Sequence, residues 1–171
     1  MTSRREALVN TATGLGAAGL LSSLAPELAA NPLGMPLGCQ TYPVRAQIEK
    51  DFPATLKELA DAGFQRVELC SPVGYAKSGF GGLAKYKPAE LQKMLADAGL
   101  KSESSHFSMK ELRDDMPGRI AWAKEMGLTQ MMVPTLSGPH NPTMDDVKRA
   151  ADEYNKMAEQ SAKAGIQQGL H

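Results

Sequence analysis

Lys101-Ser102-Glu103-Ser104-Ser105-His106-Phe107 is the stretch on which the fold turns. It has strand length and follows Gly99-Leu100, a glycine and an apolar residue at the close of a helical pattern. A central strand of a doubly wound sheet is covered on both faces and reads as a near-continuous apolar run. This one is polar almost throughout. Arg66-Val67-Glu68-Leu69 repeats the theme, with a carboxylate between two apolar residues. Polar side chains gathered toward strand carboxyl ends fit the mouth of a closed parallel barrel, where such folds carry their chemistry.

The same punctuation recurs along the chain. Helical patterns close on Gly63-Phe64, Gly99-Leu100, Gly127-Leu128 and Gly165-Ile166, at spacings of 36, 28 and 38 residues. Glycine just past a helix supplies the left-handed conformation that ends it. Strands are expected at 37–42, 66–71, 102–107, 130–135 and 166–171. Between them Phe52, Leu56, Leu59 and Ala60 share one helical face after Asp51 and Pro53. Leu91, Met94, Leu95 and Ala98 do so after Pro88, and Val147, Ala150, Ala151, Tyr154, Met157 and Ala158 form the last stripe. Ser108 with Glu111 and Thr143 with Asp146 form capping boxes. Pro117-Gly118 is expected to break the third helical region in two, and Trp122 is read as packing.

Strands alternating with helices at this period make an α/β chain of parallel units. Two architectures compete. One is a (β/α)8 barrel, which needs about 250 residues and would here be truncated after about four and a half units. The other is a five-stranded doubly wound sheet, complete at this length. The polar strands favour the barrel. The loop after the first strand, Pro43-Val44-Arg45-Ala46-Gln47, lacks the small residues of a phosphate-binding turn. A half-barrel leaves its first and fifth strands as unpaired edges, so residues 31–171 taken alone are expected to be unstable or oligomeric.

Composition removes several function classes. Among 171 residues, 19 Lys+Arg balance 19 Asp+Glu, so a strongly basic nucleic-acid face is not expected. Two cysteines are too few for a disulfide scaffold, and Cys39 and Cys70 are read as buried thiols. No H-E-x-x-H, C-x-x-C or G-x-S-x-G occurs, and no metal ligand is assigned. Gly79-Phe80-Gly81-Gly82-Leu83-Ala84 fits G-x-G-x-x-A in letters, but no helix opens on it. It is read as a mobile loop over the mouth.

The amino terminus has the pattern of an export signal. Arg4-Arg5 precedes an uncharged run rich in Gly and Ala, with Ala29-Ala30 as a small-residue end. The arginine pair resembles the twin-arginine type. Residues 1–30 are therefore expected to address the protein to the periplasm or exterior of a bacterium through the twin-arginine machinery, without a stable membrane anchor. Gly14-Leu15-Gly16-Ala17-Ala18-Gly19 matches a dinucleotide fingerprint literally, but it lies inside that segment and follows no strand.

Two side chains lead as catalytic candidates. His106 stands at a strand end, where imidazole can move a proton near neutral pH. Glu68, flanked by outward Val67 and Leu69, would point into the barrel, where a carboxylate must be hydrogen-bonded or paired. Gln40 and Tyr42 share a face of the first strand by period two and are candidates for substrate binding. His171, on the fifth strand, is a weaker one. His140 lies in the loop Ser137-Gly138-Pro139-His140-Asn141-Pro142 and is read as solvated at the rim.

Several stretches together resemble a known family. They are Leu37-Gly38-Cys39-Gln40-Thr41-Tyr42-Pro43-Val44-Arg45, the helix from Asp51 to Ala60, Gly63-Phe64-Gln65-Arg66-Val67-Glu68-Leu69, Ser104-Ser105-His106-Phe107-Ser108, and Ala164-Gly165-Ile166 through His171. In this order and spacing they resemble the sugar phosphate isomerase/epimerase group of xylose-isomerase-like TIM barrels over about residues 35–171. The resemblance implies an isomerase or epimerase acting on a small carbohydrate through an enediolate-type proton transfer. It also implies one divalent metal (Mn, Mg, Co or Zn) in the complete protein. The family's metal ligands lie on strands beyond residue 171, so this chain alone is expected to be inactive. Glu68 and His106 match pocket-lining positions. A lyase or hydrolase acting on a keto-sugar in the same fold is a second expectation. A non-catalytic doubly wound binding module is a third.

Overall fold

The computed structural model describes residues 34–171. The expected export segment lies outside the described residues. From Leu37 onward the chain forms β1 (Gly38–Gln40), α1 (Arg45–Lys50), α2 (Phe52–Asp61), β2 (Arg66–Cys70), α3 (Pro88–Asp97), β3 (Ser104–His106), α4 (Met109–Glu125), β4 (Gln130–Val133), α5 (Met144–Lys163) and β5 (Gln167–Leu170).

All five strands are parallel, in the spatial order β1-β2-β3-β4-β5. Each strand lies beside its predecessor, as in successive units of a barrel wall. The doubly wound alternative requires a strand order that reverses at a switch point. Sequential order overturns it, and with it the non-catalytic module drawn from that architecture.

The helix ends follow the glycine punctuation. Gly63, Gly99, Gly127 and Gly165 have φ of 94°, 77°, 70° and 79°. The next residue in each case donates its N–H to the carbonyl five positions back: Phe64 to Leu59, Leu100 to Leu95, Leu128 to Ala123 and Ile166 to Ser161. This closure satisfies a terminal carbonyl and turns the chain into the following strand. At the opposite ends, Asp51 accepts from the Ala54 N–H at 3.0 Å, and both expected capping boxes are formed.

Residue alternation sorts the two faces of the sheet. Val67, Leu69, Met131 and Val133 are buried against the helices. With Leu56, Leu91, Leu95, Leu112 and Met126 they form one apolar layer. Each fully buried leucine there contributes about 1.5–3 kcal/mol relative to an exposed one. On the other face, Gln40 is paired with Glu68, Ser104 with Gln130, and Gln130 with Gln167. Ser104 and Glu68 complete this polar row through their side chains.

Three local expectations need correction. Tyr42 does not extend β1: the strand ends at Gln40, and Tyr42 opens a 3-10 turn. Fully buried Thr41 forces the bend by giving both its N–H and its hydroxyl to the Glu68 carbonyl. In α4 the break falls at Asp115, at φ −155° and ψ 65°, not at Pro117-Gly118. Asp115 caps the second piece by accepting from the Gly118 N–H at 2.9 Å. Pro117, which has no N–H to lose, thus sits in a first turn. The glycine-rich stretch after β2 forms 3-10 turns at Ala76–Ser78 and Gly81–Lys85. They are pinned by fully buried Phe80 and by Leu83. Short α1 had no periodic signal long enough to announce it.

Candidate functional site

Glu68 and His106 reach the same inner face from neighbouring strands. The β2–β3 register sets Cys70 beside His106, and Glu68 lies two residues earlier on the same face. His106 Nε2 stands 2.8 Å from Glu68 Oε1. The approach lies off the N–H line, so Nε2 is buried without an in-line acceptor. Ser104 Oγ donates to Glu68 Oε2 at 2.5 Å. His106 is buried and Glu68 half-buried. Burial alone would raise the Glu68 carboxyl, but the adjacent His106 imidazole and the hydrogen bond from Ser104 outweigh it and hold the group below its ordinary range. Glu68 is therefore ionised at neutral pH.

Gln40 organises the second side of the imidazole. Its Oε1 accepts the Tyr42 N–H, which turns its Nε2 toward Cys70 Sγ at 3.2 Å and His106 Nδ1 at 3.4 Å. Burial pushes the Cys70 thiol up to about 12. It stays protonated at neutral pH and is no ready nucleophile. Both cysteines are free, Cys70 buried and Cys39 half-buried.

An aromatic edge borders the pair. The Tyr75 ring centroid is 6.4 Å from that of His106, 6.2 Å from Tyr42 and 6.3 Å from Phe80. Arg45 lies over the Tyr42 ring at 4.5 Å. His171 follows β5, where its N–H donates to the Val133 carbonyl at 3.0 Å. Its ring packs edge-on to His106, centroids 5.4 Å apart. The structure thus gathers Gln40, Glu68, His106 and His171 at one place, with Tyr42 on its border. His140 is exposed in its loop and touches Asn141. Trp122 packs edge-on against Phe107, as expected.

Ser104, Thr41, Tyr75 and Cys70 join the site without being among the candidates that sequence pattern offers. Ser104 had a usable signal, since period two puts it on the face of His106. Tyr75 had none, because it lies in a loop whose course depends on tertiary packing.

Below the pair, the inner face holds an open concavity of about 420 Å³, lined by Gln40, Glu68, Ser104, Gln130, Arg66 and Glu103 among others. Its floor mixes hydrogen-bond donors and acceptors with apolar surface. Arg66 and Glu103 form an ion pair there, each about half exposed. No cluster of three or more His, Cys, Asp or Glu suited to a metal ion occurs among the described residues. No helix among them is long and apolar enough to cross a membrane.

No protein-family model matches the chain, and no curated protein matches it. Solved structures do. A sugar phosphate isomerase/epimerase from Parabacteroides distasonis superposes with TM-score 0.60 at 30% identity, over 81% of this chain and 51% of its own. An L-ribulose 3-epimerase gives TM-score 0.56 at 20% identity, over 80% and 49%. A xylose-isomerase-like TIM-barrel protein from Mycobacterium smegmatis, in complex with magnesium, gives 0.55 at 14% identity, over 80% and 55%. This chain spans about half the length of each of these three. Its five-stranded sheet and covering helices therefore match about half of a xylose-isomerase-like TIM barrel.

Proposed function

We propose that this chain, folded as about half of a xylose-isomerase-like TIM barrel, belongs to an isomerase or epimerase of a sugar or sugar derivative. The observation that carries the proposal is the Glu68–His106 pair, 2.8 Å apart on the polar inner face. The 30% identity to a sugar phosphate isomerase/epimerase supports it. The ionised Glu68 is an acceptor for a proton from a carbon next to a carbonyl, or from a hydroxyl. His106, whose Nε2 is buried without an in-line acceptor, is a donor for the oxygen on which charge develops. Gln40 keeps that donor in place. Tyr42 and His171 border the space where a polyol would lie. Glu68 taking a proton from the carbon next to the carbonyl leaves an enediolate. Return of that proton to the neighbouring carbon, with the hydroxyl proton passing to the other oxygen, is isomerisation. Delivery of a proton to the opposite face of the same carbon, from an acid outside the described residues, is epimerisation.

A divalent metal (Mn, Mg, Co or Zn) is proposed for the whole protein, as one neighbour is described with magnesium. The described residues do not make its site: Glu68 and His106 are two donors engaged with each other, not a ligand set. No step is assigned to the metal.

The test uses the chain continued through a full set of eight strands, with a panel of keto- and aldo-sugars and each of the four metals. Interconversion without loss of water is expected, with the rate in Glu68→Gln and His106→Gln falling by roughly a hundredfold or more. A dehydrated product would place the protein with lyases on the same fold. Activity unchanged in both variants would overturn the roles given to them.

We also propose that residues 1–30 export the folded protein through the twin-arginine machinery. A fusion of this segment to a reporter should reach the periplasm, and Arg4→Lys with Arg5→Lys should retain it in the cytoplasm.

A further inference from the structure

Glu111 forms half of the capping box that opens α4, yet it is 5% exposed and does more than cap. Its Oε1 accepts the Ser108 N–H at 2.7 Å. Its Oε2 accepts the Ser71 hydroxyl at 2.5 Å and the Gly74 N–H at 3.0 Å. Three donors from two segments thus converge on one buried carboxylate. Ser71 follows β2 and donates its N–H to the His106 carbonyl. Ser108 lies two residues after His106. Tyr75, next to Gly74, donates its N–H to the Ser71 carbonyl at 3.0 Å. The backbone is shaped around the carboxylate as well. A Cβ on Gly74 would sit 2.5 Å from Glu111 Cδ and 2.9 Å from Ser108 Oγ. Gly74 has no positive φ, so this glycine answers to the carboxylate rather than to backbone conformation.

We propose that Glu111 is a positioning residue: its carboxylate ties the loop after β2 to the start of α4 and so holds Tyr75 against His106. The clamp is independent of which reaction the rim serves. An amide of the same shape cannot reproduce it. Glutamine offers one acceptor oxygen and one donor nitrogen to three donors. The Ser71 hydroxyl can rotate to accept, and the Ser108 N–H can keep the oxygen. Gly74 is then left with only its 3.5 Å contact to Ser71 Oγ. The loss should therefore be local to the loop.

The test is backbone amide exchange and imidazole NMR on the full chain carrying Glu111→Gln. Exchange at Gly74 and Tyr75 should accelerate by roughly tenfold or more, with α2 and β4 unchanged. The His106 ring resonances should shift as the Tyr75 ring current moves away. Unchanged exchange and ring signals would overturn the proposal. So would protection lost evenly across all strands, the mark of a merely structural residue. Should Glu111→Gln fail to fold, Ser71→Ala decides. It removes one of the three donors and leaves the cap on Ser108. Faster exchange at Gly74 with a shifted His106 supports the clamp, and no local change rejects it.

Discussion

Gln40 places its amide nitrogen 3.4 Å from His106 Nδ1, and that contact decides which nitrogen of the imidazole carries the proton. A donor facing Nδ1 requires Nδ1 to accept, so a neutral ring holds its hydrogen on Nε2, beside Glu68. Gln40 is oriented in turn by the Tyr42 N–H, which occupies its carbonyl oxygen. A backbone turn, an amide, an imidazole and a carboxylate thus form one connected set. Such an arrangement fixes a tautomer through the partner of the other nitrogen.

The tautomer is measurable. Nitrogen-15 shifts of His106 at pH above 7 should report the Nε2–H form in the wild-type chain. In Gln40→Leu the Nδ1 partner is gone, and a mixture of both tautomers is expected. A wild-type ring protonated mainly on Nδ1 would contradict the arrangement.

Glu68 and Glu111 should respond to pH in opposite directions. Burial is the largest influence on each. At Glu68 the adjacent His106 imidazole and the hydrogen bond from Ser104 prevail, and the carboxyl lies below its ordinary range. At Glu111 burial prevails over the bonds from Ser71, Ser108 and Gly74, and the carboxyl is raised. A lowered group stabilises the fold above its unfolded value, about 4.3, and that support is lost as pH falls through the folded value. A raised group supports the fold below the unfolded value and loses that support as pH rises through the folded one. Urea unfolding from pH 3 to 7 should show the gap between wild type and Glu68→Gln narrowing toward acid. The gap for Glu111→Gln should widen. Parallel curves would refute both assignments.

Gly74→Ala should cost about 1–3 kcal/mol, since its methyl would overlap the Glu111 carboxylate and the structure must shift. Gly82→Ala is the control: nothing lies within 4 Å of its added Cβ, and a change within about 0.5 kcal/mol is expected. Equal midpoints in thermal unfolding would reject the steric account.

Cap and core should separate in size. Asp51→Ala removes the acceptor for Ala54 N–H and should cost about 1 kcal/mol. Leu56→Ala empties a fully buried position and should cost about 2–5 kcal/mol. Denaturant titration resolves the two, and a cap loss larger than the core loss would count against the packing described.

How much of this was legible beforehand differs by residue. Gly63, Gly99, Gly127 and Gly165 announced the helix ends, because a left-handed backbone is a local demand that glycine alone meets cheaply. Val67-Glu68-Leu69 announced an inward carboxylate, because strand alternation is local too. The pairing of Glu68 with His106 was not legible: they lie on different strands, and only the β2–β3 register brings them together. The departure of Tyr42 from β1 has no local signal, because the bend depends on Thr41 bonding to the Glu68 carbonyl, a contact from outside the strand. Glu111 looked like an ordinary cap, since its other two donors come from a loop almost 40 residues earlier.

The chain's own order of residues determined the repeating strand–helix unit, the apolar helix faces and the polar character of the strand ends, all of which follow from short-range periodicity and backbone preference. Tertiary structure alone decided that successive strands lie side by side. It also decided that His106 faces Glu68 with Gln40 behind it, and that a buried carboxylate ties two loops. Those outcomes depend on hydrogen-bond registers between segments far apart in the chain, which no local pattern encodes.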